Sequence, residues 1–343
     1  FHKSVLLWKS KMPVITILVS FYNVEKFIKH CIQNIKEQTD FLCILVDDGS
    51  TDKSSDIAFK EIENDKRFSI IRHKTNKGLG AGRATGIKNT KTEYIIFMDP
   101  DDELDRDSVE KIQCQIQNQK ADLYIFDYFE KRDSIDRRIS GAAQDVSTLF
   151  IDSDKRISHV WHKVFRKELF QRFNLNFYKT VTFAEDLFLC INSFLHSRNT
   201  IFVNDAYYHY VFNSSSLVNS RTGKSIYENI LVVQNLLNND FSKHKSIKLY
   251  LEKEFFHTCG LLIFPNKNNS FQSSRPHFSE WRLKNKEQTI LIPKDLSVFV
   301  RLYIFFIKKR LDHIAYLFWK ILRLKNKIKK GNKNEFISNC NPV

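Results

Sequence analysis

Three apolar runs, each stopping at a polar or acidic tetrapeptide, constrain this chain more than any other feature. Val14–Ser20 ends in Ser20-Phe21-Tyr22-Asn23, Phe41–Val46 in Asp47-Asp48-Gly49-Ser50, and Tyr94–Met98 in Asp99-Pro100-Asp101-Asp102. Short runs that are apolar throughout suit strands buried on both faces, as in a parallel sheet. Between the first two, Val24, Phe27, Ile28, Cys31, Ile32 and Ile35 mark one face of a helix that Asn23 is placed to cap. A helix is expected over about 53–63, a strand over Phe68–Arg72 and a helix over Ala81–Asn89. Strands alternating with helices predict right-handed crossovers and a mostly parallel α/β sheet. Ligands of such sheets bind beyond the carboxyl ends of the strands. The three tetrapeptides are therefore expected along one rim.

After Gln119 the pattern is less regular. Ala121–Tyr128 reads as a strand, and His159–Phe170, Glu185–Leu195 and Tyr227–Leu237 read as helices. Thr200–Val203 and Tyr207–Phe212 read as extended, and the polar residues 266–285 as a loop. Six scattered Cys, with no C-x-x-C pair, argue against a disulfide framework or a zinc site and for free thiols in a reducing compartment.

The formal net charge is +15, and its location matters. Between Arg301 and Lys333 eleven Lys and Arg face one Asp, so the tail carries ten of those charges. A body this close to balance is not expected to bind nucleic acid. The sequence has no run of about 18 uncharged apolar residues, so no transmembrane helix is expected. The first eight residues are too short in apolar length for a signal peptide.

Asp99, Asp101 and Asp102 crowd three carboxylates into four positions. Their repulsion is relieved either by a bound cation or by solvent in an exposed turn, and the tetrapeptide alone does not choose. Its place at the end of an apolar strand favours metal, and hard oxygen ligands suit Mn²⁺ or Mg²⁺. Gly78-Leu79-Gly80-Ala81-Gly82-Arg83 sits between a strand and a helix, but Arg83 stands where a dinucleotide fingerprint needs glycine. A turn that lets Arg83 reach a phosphate fits better.

Residues 14–110 resemble the nucleotide-binding half of family 2 glycosyltransferases, which have the GT-A fold, a Rossmann-like α/β sheet flanked by helices. The matching stretches are VSFYNVEKFIKHCI, ILVDDGSTDKS, NKGLGAGRATGI and EYIIFMDPDDELD. Further on, WHKVFRKELF over Trp161–Phe170 and FAEDL over Phe183–Leu187 are weaker echoes in the same order. The resemblance implies a GT-A catalytic domain over 1–215, with its nucleotide-binding half at about 13–110 and its acceptor half at 111–215. A helical extension over 216–290 and a basic amphipathic tail over 291–343 would follow.

The resemblance also implies roles. Ser20, Tyr22 and Asn23 would line the nucleotide pocket, with Tyr22 on the base. Asp48, or else Asp47, would accept a hydrogen bond from the base, and Arg83 would lie near base or phosphate. Asp101 would be the main metal ligand, with Asp99 facing ribose or metal. Asp186 would be the general base on the acceptor hydroxyl, with Glu185 beside it; the bland reading of this acid pair is a helix N-terminus. Val211 stands where the family commonly has Arg, so Ser215, Ser216 or His209 would have to compensate, His209 as a metal ligand or simply as a packed ring. His162 stands where Asn is common. Lys163 would reach the acceptor or a phosphate, or form a surface ion pair.

In the tail, apolar residues at 307, 311, 314, 318, 321, 322 and 328 oppose Lys309, His313, Lys320, Arg323, Lys327 and Lys330 at helical spacing. Such a helix suits an anionic membrane surface at the inner, cytoplasmic face of the cell membrane. The alternative is packing of its apolar face on the body or on a second copy in a homo-oligomer. The expected function is an inverting transfer of a hexose or N-acetylhexosamine from a UDP-sugar to a surface glycan, free or lipid-linked. A nucleotidyltransferase and a non-catalytic glycan-binding subunit are the alternatives.

Overall fold

In a computed structural model, the described residues are 13–132, 135–151, 154, 156–173, 184–213, 223–252 and 254. Ser215, Ser216 and the whole basic tail lie outside them, as does most of the expected 216–290 extension. The chain divides into two units, residues 1–219 with 231–251 and residues 220–230 with 252–343. Every strand named below belongs to the first unit. Of the second, residues 223–230, 252 and 254 are described.

The order of elements is β1 (Ile15–Phe21), α1 (Ile28–Lys36), β2 (Phe41–Asp47), α2 (Ser54–Ile62), β3 (Phe68–Arg72), α3 (Leu79–Asn89) and β4 (Tyr94–Met98). Next come β5 (Glu103–Leu104), α4 (Ser108–Asn118), β6 (Leu123–Arg132), β7 (Ile135–Ile139), α5 (Val146–Ile151), β8 (Lys163–Arg166) and a 3₁₀ helix (Lys167–Arg172). The series ends with α6 (Glu185–His196), β9 (Thr200–Val211) and α7 (Gly223–Leu237).

One sheet runs in the order β3-β2-β1-β4-β8-β6-β9-β5, with β7 on β6. Its first four strands are parallel, as the apolar runs predict. All seven residues of β1 are buried: Ile15, Ile17, Val19 and Phe21 share a core with Ile28, Cys31, Ile32 and Ile35 of α1, while α3 crosses the other face at Leu18 and Ser20. Burying each such side chain contributes about 1.5–3 kcal/mol. From β8 onward the sheet is mixed: β8 is antiparallel to both β4 and β6, while β6 and β9 are parallel.

Two expectations change here. The segment His159–Phe170 is not a helix: it supplies β8 and the 3₁₀ turn. Val164 and Phe165, both buried, alternate to opposite faces, and ladders on both edges satisfy the backbone. The two extended pieces after Thr200 form a single strand, β9, whose register against β6 shifts after Phe126. This sheet order brings the ends of β1, β2 and β4 together with β9 and the start of α6.

Candidate functional site

The rim begins at β1. Ser20 is buried, and its hydroxyl has no hydrogen-bond partner. A Cβ at Gly82 would lie 2.0 Å from Ser20 Oγ, so only glycine lets α3 cross the strand end this closely. Tyr22 is 41 % exposed beyond it. Asn23 does not cap α1, which starts at Ile28. It takes a left-handed conformation (φ 53°), its N–H donates to Ser50 Oγ at 3.1 Å, and its Oδ1 accepts from Thr51 N at 2.8 Å. Asn23 thus fastens the first rim loop to the second.

Asp47 and Asp48 are both buried and both committed within the protein. Asp47 Oδ1 accepts from Ser50 N at 2.8 Å, and its Oδ2 lies 3.1 Å from Arg72 Nε. Asp48 Oδ1 meets His73 Nδ1 at 2.6 Å, and Oδ2 accepts from Lys77 N at 3.0 Å and Gly78 N at 2.7 Å. Asp48 thus fixes the loop before α3, its carboxylate satisfying backbone donors at that helix's start. Gly49 (φ 78°) is required where a Cβ would meet the Thr75 carbonyl carbon at 2.8 Å.

At the centre of the rim, Arg83 of α3 is buried and gathers three carboxylates. Its Nη2 donates to Asp99 Oδ1 at 2.9 Å, while Nη1 donates to Asp186 Oδ1 and lies 3.5 Å from Glu185 Oε1. Asp186 Oδ2 also accepts from Val160 N at 3.3 Å. Asp99 directly follows β4, whereas Glu185 and Asp186 open α6. Ala184, just before them, has φ 60° and ψ 22°, a conformation costly for a residue with a Cβ. Burial pushes the Glu185 carboxyl up to about 8, assisted by Asp186 and opposed by Arg83. Asp99 is pushed up to about 6 by burial, against the pull of Arg83. Burial and the neighbouring Asp186 thus both favour the protonated form of Glu185.

The acidic turn after β4 splits into two kinds of residue. Asp102 is buried and held: Tyr208 donates its hydroxyl to Oδ2 at 2.6 Å, and Val211 N donates to Oδ1 at 2.8 Å. Burial, then the neighbouring Asp99, raises its pKa well above the usual range. The Asp99 N–H donates to the same Tyr208 oxygen at 3.1 Å, so one phenol pins both ends of the turn. Asp101 is half-buried, with Asn213 Nδ2 3.3 Å from Oδ2.

Among the described residues no group of three or more His, Cys, Asp or Glu converges as a metal cage. The donor set of Asp101 and Asp99 nonetheless fits Mn²⁺ or Mg²⁺, which bind through one or two carboxylates together with substrate phosphates and water. His209 is not part of it. It alternates with Tyr208 and Tyr210 on β9, stacks on Phe129 at 4.7 Å and bonds Asp105 through Nε2 at 2.9 Å.

Lys163 also departs from expectation. It is 1 % exposed, and its ammonium donates to the carbonyls of Arg156 and His159 and to His162 Nε2 at 3.0 Å. Burial lowers the pKa of both Lys163 and His162. The pair holds the Arg156–His162 segment together instead of facing a ligand. Sequence reasoning missed Tyr208, Asp102 and Trp161 as organisers of the site. The period-2 aromatics Tyr208 and Tyr210, on a strand otherwise mixed in character, were the signal available.

The profile of the family described as glycosyl transferase family 2 matches residues 16–183. The chain is 32 % identical over 235 residues to EpsH of Bacillus subtilis, a protein with a glycosyltransferase name, covering 64 % of this chain and 67 % of EpsH. It is 26 % identical to the poly(ribitol-phosphate) beta-N-acetylglucosaminyltransferase TarP of Staphylococcus aureus, over 84 % of this chain and 91 % of TarP. The fold is similar to that of Staphylococcus aureus TarS 1–349 in complex with UDP-GlcNAc, with a TM-score of 0.61 at 19 % identity and 78 % of each chain covered. These likenesses replace the nucleotidyltransferase reading. A GT-A-like mixed α/β sheet with its acids gathered on one rim, in a chain matching this profile, belongs to glycosyl transferase family 2, and the chain is a glycosyltransferase.

Proposed function

We propose that the chain transfers a hexose or N-acetylhexosamine from a UDP-sugar to a surface glycan, with inversion at the anomeric carbon and with Mn²⁺ or Mg²⁺ held by Asp101 and Asp99. The observation that carries this reading is Arg83, which draws the strand-end acid Asp99 and the helix-start acids Glu185 and Asp186 around one guanidinium. An inverting displacement needs an anion-handling side and a base on the opposite side of the anomeric carbon. Asp101 and Asp99 would supply the first through the cation they would hold, and Asp186 would supply the second. Asp186, at the start of α6 beside Arg83 and the Val160 N–H, is the acid we assign to take the proton.

In that reaction the acceptor oxygen forms its bond to the anomeric carbon while its proton passes to Asp186. The bond to the diphosphate breaks, and its electron pair leaves with UDP. A divalent cation, when bound, neutralises charge developing on the diphosphate. Tyr22, exposed at the end of β1, is the platform for the base. The UDP-GlcNAc of the TarS complex and the beta-N-acetylglucosaminyltransferase name of TarP support the donor class. Among the described residues no helix is long and apolar enough to cross a membrane, and we assign membrane contact to the basic tail.

The test is a pair of substitutions. Asp101→Asn and Asp186→Asn should each lower transfer by two orders of magnitude or more, about the lower range for removal of an acid–base group. Only Asp101→Asn should weaken the thermal shift produced by UDP with Mn²⁺. Full turnover by Asp186→Asn refutes the base assignment.

A further inference from the structure

The chain leaving β9 ties the acidic turn to the end of β6, one residue after another. Val211 N donates to Asp102 Oδ1 at 2.8 Å, Phe212 N donates to the Lys131 carbonyl at 2.8 Å, and Asn213 Nδ2 lies 3.3 Å from Asp101 Oδ2. Phe212, between the two residues that meet the acids, is 46 % exposed. Over its ring, 4.5 Å from the centroid, sits the guanidinium of Arg132, whose side chain is also exposed. The backbone beneath Arg132 is held on both sides: Arg132 pairs with Ile135 in the β6–β7 ladder, and Lys131 accepts from Phe212. A guanidinium over an aromatic face is steadied by it while its N–H groups stay available, and their planar fork matches two phosphate oxygens. Two other cations of this rim are already committed. Arg83 is shared by Asp99, Glu185 and Asp186, and Lys131 Nζ lies 2.7 Å from Glu103 Oε2. Among the described residues Arg132 makes no ion pair, and its guanidinium rests on Phe212.

We propose that Arg132, seated on Phe212, binds the diphosphate of the nucleotide-sugar on the side of Asp101. The proposal deepens the glycosyl-transfer reading above and rests on it. Asp99 and Asp101 bring two negative charges, which a divalent cation does no more than balance, so the charge of the diphosphate calls for a separate cation. Arg83 is outnumbered by the acids it gathers. Arg132 enters from a different strand, one residue along the chain from the Asn213 that meets Asp101, and carries a charge that no neighbouring carboxylate cancels. Charge-assisted hydrogen bonds of this kind are among the stronger polar contacts a protein makes.

Isothermal titration of the full chain with UDP and with inorganic pyrophosphate, both with Mn²⁺, tests this. Saturation-transfer NMR with uridine reads the base and ribose contacts alone. Arg132→Met should weaken UDP binding about tenfold or more, the worth of a hydrogen bond to a charged group, and leave uridine saturation unchanged. Arg132→Lys, which keeps the charge and loses the fork, should fall between Arg132→Met and the unmodified chain. Phe212→Leu, which removes the ring beneath the guanidinium, should lose about threefold in UDP affinity. The Tm of Arg132→Met should match that of the unmodified chain, because the side chain is exposed. Unchanged UDP affinity in Arg132→Met overturns the proposal, and so does an equal loss of uridine saturation, which would mark a disturbed pocket. Should the unmodified chain bind neither UDP nor uridine, the uridine-donor reading fails by itself, and pyrophosphate decides for Arg132: weaker binding by Arg132→Met upholds the contact, and equal binding overturns it.

Discussion

Replacing Arg83 with Met removes the one guanidinium that Asp99, Glu185 and Asp186 share, while keeping an unbranched apolar stem against Phe97. Breaking a buried ion pair from one side typically costs about 3–5 kcal/mol, because the remaining charge is left unpaired. The Asp99 and Asp186 side chains keep 27 % and 20 % of their exposure, so water offsets part of that loss. The expected destabilisation is about 3 kcal/mol, toward the lower end. For a unit of this size that corresponds to a fall in Tm of about 6–12 °C.

The loss should depend on pH with a definite sign. Glu185 sits near 8 in the folded protein against 4.5 for an unperturbed glutamate. A carboxyl raised on folding contributes stability that is complete below about 4.5 and vanishes as pH rises toward 8. Without Arg83 the acids ionise less readily still, so the penalty grows with pH. Melting curves of the unmodified chain and Arg83→Met at pH 5.5 and 8.5 should show the larger difference at pH 8.5. Arg83→Lys, which keeps the charge and loses the fork, should fall between them. Equal differences at both pH values would mean that Arg83 acts by packing alone and that the electrostatic account is wrong.

Other substitutions separate supporting residues from those placed to meet substrate. Tyr208→Phe deletes the 2.6 Å bond to buried Asp102 and should cost about 1–3 kcal/mol in a urea titration; an unchanged midpoint would show that Tyr208 does not hold the turn. His209→Gln should leave the Mn²⁺ dependence of transfer unaltered, since its ring faces Asp105. Lys163→Met should lower Tm but keep the donor KM, and a tenfold rise in that KM would restore the lysine as a ligand contact. Truncation near Leu296 should abolish salt-sensitive binding to anionic liposomes, whereas binding equal to that of the full chain would place the membrane contact elsewhere.

The sequence by itself determined the first half of the sheet and the address of the site. Burial on both faces demands unbroken apolar runs, and a run that must stop at a polar rim announces its own end. Hence β1 to β4 and the residues at their carboxyl ends were legible from local pattern. Asp186 was legible only through its family context. Five matters were decided by tertiary structure. The segment around Val164 became a strand because β4 and β6 offered it partners on both edges. Lys163 turned inward, where three acceptors satisfy its ammonium. His209 fell on the face opposite Tyr208, set by the pairing of β9 with β5 and β6. Asp48 anchors a loop because the chain before α3 folds back over it. The meeting of Arg83 with Glu185 and Asp186 spans 102 and 103 residues. No local periodicity encodes a contact at that separation: it exists because the sheet order sets the end of β4 beside the start of α6, and burial there makes a shared guanidinium the means of holding three acids together.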